Sequence, residues 1–233
     1  MDIDLNCDLG EGYPFDADLM PLLTSANIAC GFHAGDPLTM RRTLALAARY
    51  QVQVGAHPGF QDRENFGRRE LNLSQERIFD ECIYQIGALI ALARAAGVAV
   101  RYLKPHGALY NLACRDETHG QVLIAVAEFF GLPLMGLAGS RLQTLCGRRC
   151  AFVAEGFADR RYQPDGSLMP RSGPGAFVES PEAAVAQVEQ LIRERGVQSI
   201  CVHGDNPQAL EFVRQLRAAL TAAGHRLTAF PTA

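Results

Sequence analysis

The sequence of 233 residues predicts an α/β fold in which parallel strands close into a TIM-barrel-like barrel. Short apolar runs alternate with longer segments of helical period, about seven times and without a linker, which is typical of one parallel sheet in a single domain, residues 1–233. The first run is followed by Asp8 and Glu11 rather than by Gly-x-Gly-x-x-Gly, and acidic side chains there would repel a dinucleotide. Polar residues gather at the predicted strand ends, where a barrel builds its active site.

The composition excludes several classes of protein. An apolar share of 48% with 20% charged residues is typical of a packed globule, and the net charge of −3 provides no basic field for nucleic acid. The acidic N-terminus does not resemble a secretory signal, and the most apolar stretch, residues 86–100, is too short to span a bilayer. Seven cysteines without a Cys-x-x-Cys pair fit reduced thiols. We therefore expect a cytoplasmic protein with no membrane or nucleic-acid partner.

The strands are predicted from short apolar runs that end in Gly, His or acidic residues. The predicted strands are residues 3–7, 26–30, 52–56, 100–104, 133–137, 151–154 and 199–202.

The helices are predicted from apolar residues of helical period between these runs. They begin near Pro37, Ser74, Glu117, Ser140, Pro181 and Pro207. Three of the starts combine an N-cap residue with proline at the first helical position, namely Asp36-Pro37, Ser180-Pro181 and Asn206-Pro207. Gly97, Gly131, Gly196 and Gly224 follow helix ends, where a left-handed residue is favoured.

Four of the six histidines fall at or just past predicted strand ends, namely His33, His57, His106 and His203. Each has a glycine within two positions, and glycine permits tight turns and close approach of backbone to a ligand. One such histidine alone would indicate a structural hydrogen bond in a loop, but four in equivalent places indicate a site. His119 and His225 are predicted to lie on the surface.

Carboxylates occupy equivalent places. Asp4, Asn6 and Asp8 alternate along the first strand, so all three face the same side, which in a barrel is the interior. Carboxylates buried there are costly unless they are paired or functional. Glu11 follows in the loop, Glu155 ends the sixth strand and Asp205 follows His203. A solvated strand start is the alternative for Asp4.

Lys104 is the only lysine, so the other 22 − 1 = 21 basic residues are arginines. It ends the fourth strand, beside the histidines, where a cation would hold a carboxylate or phosphate, or would offset Asp8 and Glu155. Asp159 and Arg161 lie in a long loop, where Arg161 is equally explained as a surface residue. Residues 162–176, rich in Pro, Gly and Ser, are predicted to form a flap over the site.

Known motifs narrow the chemistry. Lys104 lies between Leu103 and Pro105, which excludes a Walker-type phosphate loop, and no Gly-x-Ser-x-Gly elbow is present. Metal binding stays open, because histidines and carboxylates at strand ends hold zinc in barrel hydrolases, although no His-x-His or His-x-x-x-His pair is present.

Five blocks of the sequence resemble the LamB/YcsF family, and they run from the first strand to the last. The blocks are DLNCDLGEG at residues 4–12, SANIACGFHAGDP at 25–37, VGAHPGF at 54–60, KPHGALYN at 104–111 and VHGD at 202–205. The resemblance implies a (β/α)7 barrel similar to the glycoside hydrolase/deacetylase fold. It also implies that the chain is a subunit of an ATP-dependent 5-oxoprolinase, working with partner subunits B and C, which converts 5-oxo-L-proline to L-glutamate with hydrolysis of ATP.

The residue patterns and the family resemblance together suggest candidate roles. The candidate catalytic residues are Asp8, His57, Lys104, His106 and Glu155. The candidate substrate-binding residues are Asn6, Glu11, His33, Asn111, Asp159, Arg161, His203 and Asp205. Burial is expected to raise the pKa of Asp8 or Glu155 for general-base work. ATP is the expected cofactor, its site shared with partners. A metal-dependent deacetylase or amidohydrolase, and a non-catalytic lactam- or sugar-binding subunit, are the alternatives.

Overall fold

A closed barrel of seven parallel strands organises the chain. The computed structural model describes residues 1–178, 180–204 and 208–232. The strands are β1 Asp2–Leu9, β2 Ser25–Ala29, β3 Gln53–His57, β4 Val100–Leu103, β5 Leu134–Leu137, β6 Phe152–Phe157, β7 Ser199–Val202 and β8 Arg226–Leu227. Pairing runs in order from β2 to β7 and then to β1, and β1 pairs with β2, which closes the barrel. The short β8 pairs with the first residues of β1. The predicted fold class is confirmed.

Helices connect successive strands around the barrel. They are α1 Asp16–Leu19, α2 Pro37–Tyr50, α3 Gln75–Ala95, α4 Gly107–Arg115, α5 Glu117–Phe130, α6 Arg141–Cys146, α7 Pro181–Arg195 and α8 Ala209–Ala222. The predicted caps at Asp36 and Ser180 are confirmed, because their side chains accept hydrogen bonds from the backbone N–H of Thr39 and Ala183. The predicted cap at Asn206-Pro207 lies outside the described residues.

Three elements, α1, α4 and β8, were not expected from the sequence. The loop predicted after the fourth strand contains α4. Its start was not predicted, because Pro105 and Gly107 are residue types typical of loops. Gly107 has φ +53°, and a Cβ there would lie 2.6 Å from the carbonyl oxygen of Gly67, so only glycine fits. This close contact joins the start of α4 to the loop before α3. The strand β8 has two residues and was too short to leave a pattern.

The barrel interior has an apolar floor and a polar layer above it. Tyr102, Met135, Val153 and Phe230 form the floor, with the rings of Tyr102 and Phe230 5.0 Å apart. In the polar layer, Asp4 accepts hydrogen bonds from the hydroxyls of Thr24, Ser25 and Ser199. Asp4 is thus fully buried, not solvated, and burial raises its pKa to about 6 despite these donors.

The seven cysteines are all free thiols, as expected. Among the described residues, no helix combines the length and apolar character needed to cross a membrane.

Candidate active site

Lys104 lies at the centre of the polar mouth of the barrel. It follows β4 directly, and its Nζ lies 2.8 Å from Oδ1 of Asp8 and 2.9 Å from Oε1 of Glu155. Nζ also donates to Cys201 Sγ at 3.2 Å and to Asn6 Oδ1 at 3.3 Å. Burial favours the neutral amine, but Asp8 and Glu155, together with the hydrogen bond to Asp8, outweigh it and hold the pKa of Lys104 well above its usual value. Lys104 is therefore a fixed ammonium rather than a titratable base.

The carboxylate of Asp8 is ionised. Burial alone would raise its pKa, but His57 and Lys104 next to it hold the pKa of Asp8 well below its usual value. The expectation that the buried mouth raises the pKa of Asp8 is wrong, because His57 and Lys104 together outweigh the effect of burial. Glu155 is fully buried, and its Oε2 has no hydrogen-bond partner among the described residues.

Backbone carbonyls fix the tautomers of His57 and His106. Nδ1 of His57 lies 2.8 Å from the carbonyl oxygen of Lys104, and Nε2 of His106 lies 2.8 Å from that of Phe66. A carbonyl only accepts, so these two nitrogens carry the hydrogens and donate. The other nitrogens, Nε2 of His57 and Nδ1 of His106, lie 3.0 Å apart with their lone pairs turned towards each other.

Glu11 joins this cluster from the loop after β1. Its Oε1 lies 3.3 Å from His106 Nδ1 and 3.2 Å from His33 Nε2. Burial opposes ionisation, but the neighbouring imidazoles of His106 and His33 hold the pKa of Glu11 far below its usual value. Burial also lowers the pKa of His33 to about 3, so this imidazole is neutral near pH 7. The ring of His33 stacks on that of His106, with centroids 3.7 Å apart.

The cluster has the composition of a metal site. Atoms of Glu11, His33, His57 and His106 lie within 4.8 Å of one another. Imidazole nitrogen and carboxylate oxygen are the ligands that Zn²⁺ takes in proteins, and the second ring nitrogen of such a histidine usually donates to a carbonyl or carboxylate, as in His57 and His106. These residues could therefore hold a divalent cation.

A cavity of about 800 Å³ opens above the cluster. Asp8, Glu11, His57, Lys104 and His106 line its inner end. The predicted flap forms one wall as a hairpin, with antiparallel bridges between Arg160 and Phe177 and between Tyr162 and Leu168. Arginines contribute to the outer wall, namely Arg68, Arg115, Arg141, Arg160, Arg171 and Arg195. The cavity is thus acidic inside and basic at its rim.

The other predicted site residues lie at different depths. Asn6 is fully buried beneath Lys104, where its Nδ2 donates to Ser199 Oγ at 2.7 Å and to Glu155 Oε1 at 3.2 Å. His203 lines the cavity, and its Nδ1 lies 2.8 Å from Asp159 Oδ2.

Two further predicted residues, Asn111 and Arg161, lie at the surface. Asn111, on α4, lines the outer part of the cavity. Arg161 is exposed and does not line the cavity, whereas its neighbour Arg160 does. The prediction for Asp205 lies outside the described residues.

Asn27, Tyr102 and Tyr110 belong to the site but were not predicted from the sequence as site residues. Asn27 connects the layers, because its Nδ2 donates to Asn6 and Asp8 while its Oδ1 accepts from Tyr102 Oη at 2.6 Å. Tyr102 lies two positions before Lys104, so strand alternation indicated the same face. Tyr110 lies in the cavity wall on α4, which the sequence did not predict.

The fold and the site together define an α/β barrel protein whose polar centre lies at the carboxyl ends of the strands. Residues 3–233 match the LamB/YcsF family, and the chain belongs to it. It is 46% identical to a Symbiobacterium thermophilum protein named as the A subunit of 5-oxoprolinase, over 95% of this chain and 93% of that one.

Solved structures agree with this assignment. The crystal structure of a lactam utilization protein from Thermus thermophilus matches with a TM-score of 0.91 and 38% identity, covering 99% of this chain and 100% of that one. The catalytic domain of a peptidoglycan N-acetylglucosamine deacetylase from Eubacterium rectale matches with a TM-score of 0.57 and 12% identity, covering 99% and 89% of the two chains. The second match shows a shared fold, as the resemblance implied.

Proposed function

We propose that this chain is a subunit of an ATP-dependent 5-oxoprolinase and that it opens the lactam of 5-oxo-L-proline to give L-glutamate. Its family and the name of the Symbiobacterium relative support the substrate. The observation that carries the proposal is the buried Lys104 ammonium between Asp8 and Glu155, directly beside two histidine nitrogens that lack hydrogens. This arrangement combines fixed charge with proton acceptors at the inner end of the cavity.

Hydrolysis of a five-membered lactam needs an activated water, because the amide is stable. Nε2 of His57 and Nδ1 of His106 are the acceptors nearest the cavity, and Asp8 and Glu11 stabilise positive charge that develops on the rings. Lys104 keeps Asp8 ionised and holds it in place. The residues thus activate water on the cavity side, while the ammonium fixes the carboxylates behind them.

ATP makes the lactam carbonyl easier to attack. In the proposed sequence, the lactam oxygen takes the γ-phosphoryl group of ATP with release of ADP. One water then adds to the ring carbon, the ring C–N bond breaks with a proton to nitrogen, and a second water releases phosphate. The cavity of about 800 Å³, with arginines at its rim, has room for a phosphorylated lactam. The chain has no Walker motif, so we assign the ATP site to the partner subunits B and C, in the cytoplasm.

The test is glutamate formation from 5-oxoproline and ATP with this chain alone, with subunits B and C alone, and with all three. We expect glutamate only from the complete set, at one ATP per glutamate. A full rate without this chain would overturn the proposal. Full activity of an assembled complex that carries Lys104→Met would favour a non-catalytic binding subunit, and ATP-independent release of acetate from N-acetylated sugars would favour a deacetylase.

A further inference from the structure

The inner end of the cavity contains acceptor atoms that have no donor between them among the described residues. His57 Nε2 and His106 Nδ1 carry no hydrogen, because each ring donates its only hydrogen to a backbone carbonyl. Glu11 Oε1 lies 3.3 Å from the His106 nitrogen and Asp8 Oδ2 lies 3.3 Å from the His57 nitrogen. Three electron-rich atoms, the two ring nitrogens and Glu11 Oε1, therefore face one another, and a positive charge between them would offset their repulsion.

We infer that Glu11, His57 and His106 bind one divalent cation of the zinc class. A bound ion would occupy the two ring nitrogens and activate water in their place, so the inference replaces the base of the proposed mechanism and leaves the proposed substrate unchanged. Its test needs neither substrate nor partners, so its failure is distinguishable from failure of the proposed function. The spacing of the three atoms supports it further.

The spacing of the donors fits a single ion. Ligands at 2.0–2.1 Å from a tetrahedral zinc ion stand about 3.3 Å apart. His57 Nε2 lies 3.0 Å from His106 Nδ1 and 3.9 Å from Glu11 Oε1, and Glu11 Oε1 lies 3.3 Å from His106 Nδ1. These three separations bracket the tetrahedral value and would leave a fourth position for water.

His33 is a positioning residue in this arrangement rather than a ligand. Its ring is parallel to that of His106, with an interplanar angle of 4° and centroids 3.7 Å apart. Lone pairs of imidazole nitrogens lie in the ring plane, so two stacked rings cannot both point at the same ion. Nε2 of His33 instead donates to Glu11 Oε1 at 3.2 Å and fixes the orientation of that carboxylate.

Two carboxylates lie against the ring nitrogens. Glu11 Oε1 lies 3.3 Å from His106 Nδ1, and Asp8 Oδ2 lies 3.3 Å from His57 Nε2. Both carboxylates would stabilise a cation bound between the rings. Once bound, such an ion lowers the pKa of water towards 7 and polarises carbonyl groups.

Metal titration of the isolated chain tests the inference without substrate, ATP or partners. Protein freed of metal by a chelator is titrated calorimetrically with ZnCl₂ and, separately, with MgCl₂. We expect one zinc per chain with a micromolar or tighter Kd and weak binding of magnesium, because imidazole ligands favour zinc-class ions. Absence of stoichiometric zinc binding by the folded wild-type chain would overturn the inference.

Three variants and a control locate the site. His57→Asn and His106→Gln should each weaken zinc binding at least about 100-fold, and His33→Asn should weaken it about 10- to 100-fold as a residue behind a ligand. His119→Gln is the matched control, since His119 pairs with Asp116 at the start of α5, and its Kd should equal the wild-type value. Wild-type affinity in the folded His57 and His106 variants would contradict the assignment.

A spectroscopic measurement covers the case in which a variant does not fold. In ¹⁵N NMR spectra of the wild-type chain, zinc should shift Nε2 of His57 and Nδ1 of His106 and leave the protonated nitrogen of each ring in place. Shifts confined to His203, which faces Asp8 and Cys201 in a second cluster, would place the ion elsewhere and overturn the inference.

Discussion

Two buried polar layers lie one above the other inside the barrel, and they differ in how their hydrogen bonds are satisfied. Around Asp4 in the inner layer, hydroxyls donate to both carboxylate oxygens, and Asn27 accepts from Tyr102. In the mouth layer, Glu155 Oε2 and His33 Nδ1 have no partner among the described residues, and two histidine nitrogens face each other. Burial alone therefore does not mark a functional site. Several unsatisfied groups gathered in one layer are a stronger indication, because a purely structural network is normally completed.

The largest effect on turnover and stability is expected for Lys104, because its ammonium group contacts Asn6 as well as Asp8 and Glu155. Lys104→Met should lower turnover of the complex about 10³-fold, as for the loss of a preorganised electrostatic group. It should also cost about 3–5 kcal/mol of unfolding free energy, because Asp8 and Glu155 are left buried without their cation. Glutamate assays and urea unfolding measure the two quantities.

Two further substitutions sharpen this result. Arg101→Met removes an exposed cation from the same strand and should change the unfolding free energy by less than about 0.5 kcal/mol. Lys104→Arg keeps the charge but places a planar fork where a compact ammonium sits, so activity should stay low. Wild-type turnover in Lys104→Arg would show that only the charge matters.

A change confined to the mouth should separate activity from stability. Glu11→Gln keeps the shape of the side chain, removes its charge and should lower turnover about 10²-fold. The unfolding free energy should change by about 1 kcal/mol or less, because the amide oxygen can still accept the hydrogen bond of His33 and the amide N–H can donate to Nδ1 of His106. Glu128→Gln, at an exposed pair with Arg149, is the control and should leave both unchanged. Severe destabilisation by Glu11→Gln would remove the distinction between the layers.

A change confined to the inner layer should appear as pH dependence of stability. The folded chain keeps the proton of Asp4 up to pH about 6, whereas the unfolded chain releases it near pH 4, so unfolding releases a proton between these values. Asp4 therefore makes stability fall as pH rises from about 4 to about 6, by about 3 kcal/mol in all. Asp4→Asn should abolish this component. Urea unfolding of both proteins across pH 4–7 measures it, and parallel curves would contradict the raised pKa.

The smallest effect is expected for a single neutral hydrogen bond in the inner layer. Tyr102→Phe leaves Oδ1 of Asn27 without its donor and should cost about 1–2 kcal/mol of unfolding free energy. Turnover should stay within about threefold of wild type, since Tyr102 lies beneath the site. Tyr50→Phe, on the surface, should be neutral in both assays. A large loss of activity in Tyr102→Phe would show that the inner layer also takes part in the chemistry.

The sequence predicted much of this architecture, because it depends on local patterns. Alternation along β1 placed Asp4, Asn6 and Asp8 on the interior face, and glycine-flanked histidines at strand ends predicted the mouth. The protonated nitrogen of His106 was beyond prediction, since it depends on the carbonyl oxygen of Phe66, 40 residues away. The low pKa of Asp8 likewise depends on Lys104, 96 residues away. Local pattern gives position on an element, whereas protonation depends on distant contacts.

The closure of the barrel through β1 has a consequence for the order of folding. Asp4 of β1 pairs with Ser199 of β7, 195 residues later, and Phe230 seals the floor beneath them. Contacts of such long range form late, because the chain must first close a large loop. During synthesis, β1 therefore leaves the ribosome with its carboxylates hydrated, and they lose water only when the last strands arrive. The polar mouth is assembled at the end of folding, so an incomplete chain exposes acidic side chains rather than part of the site.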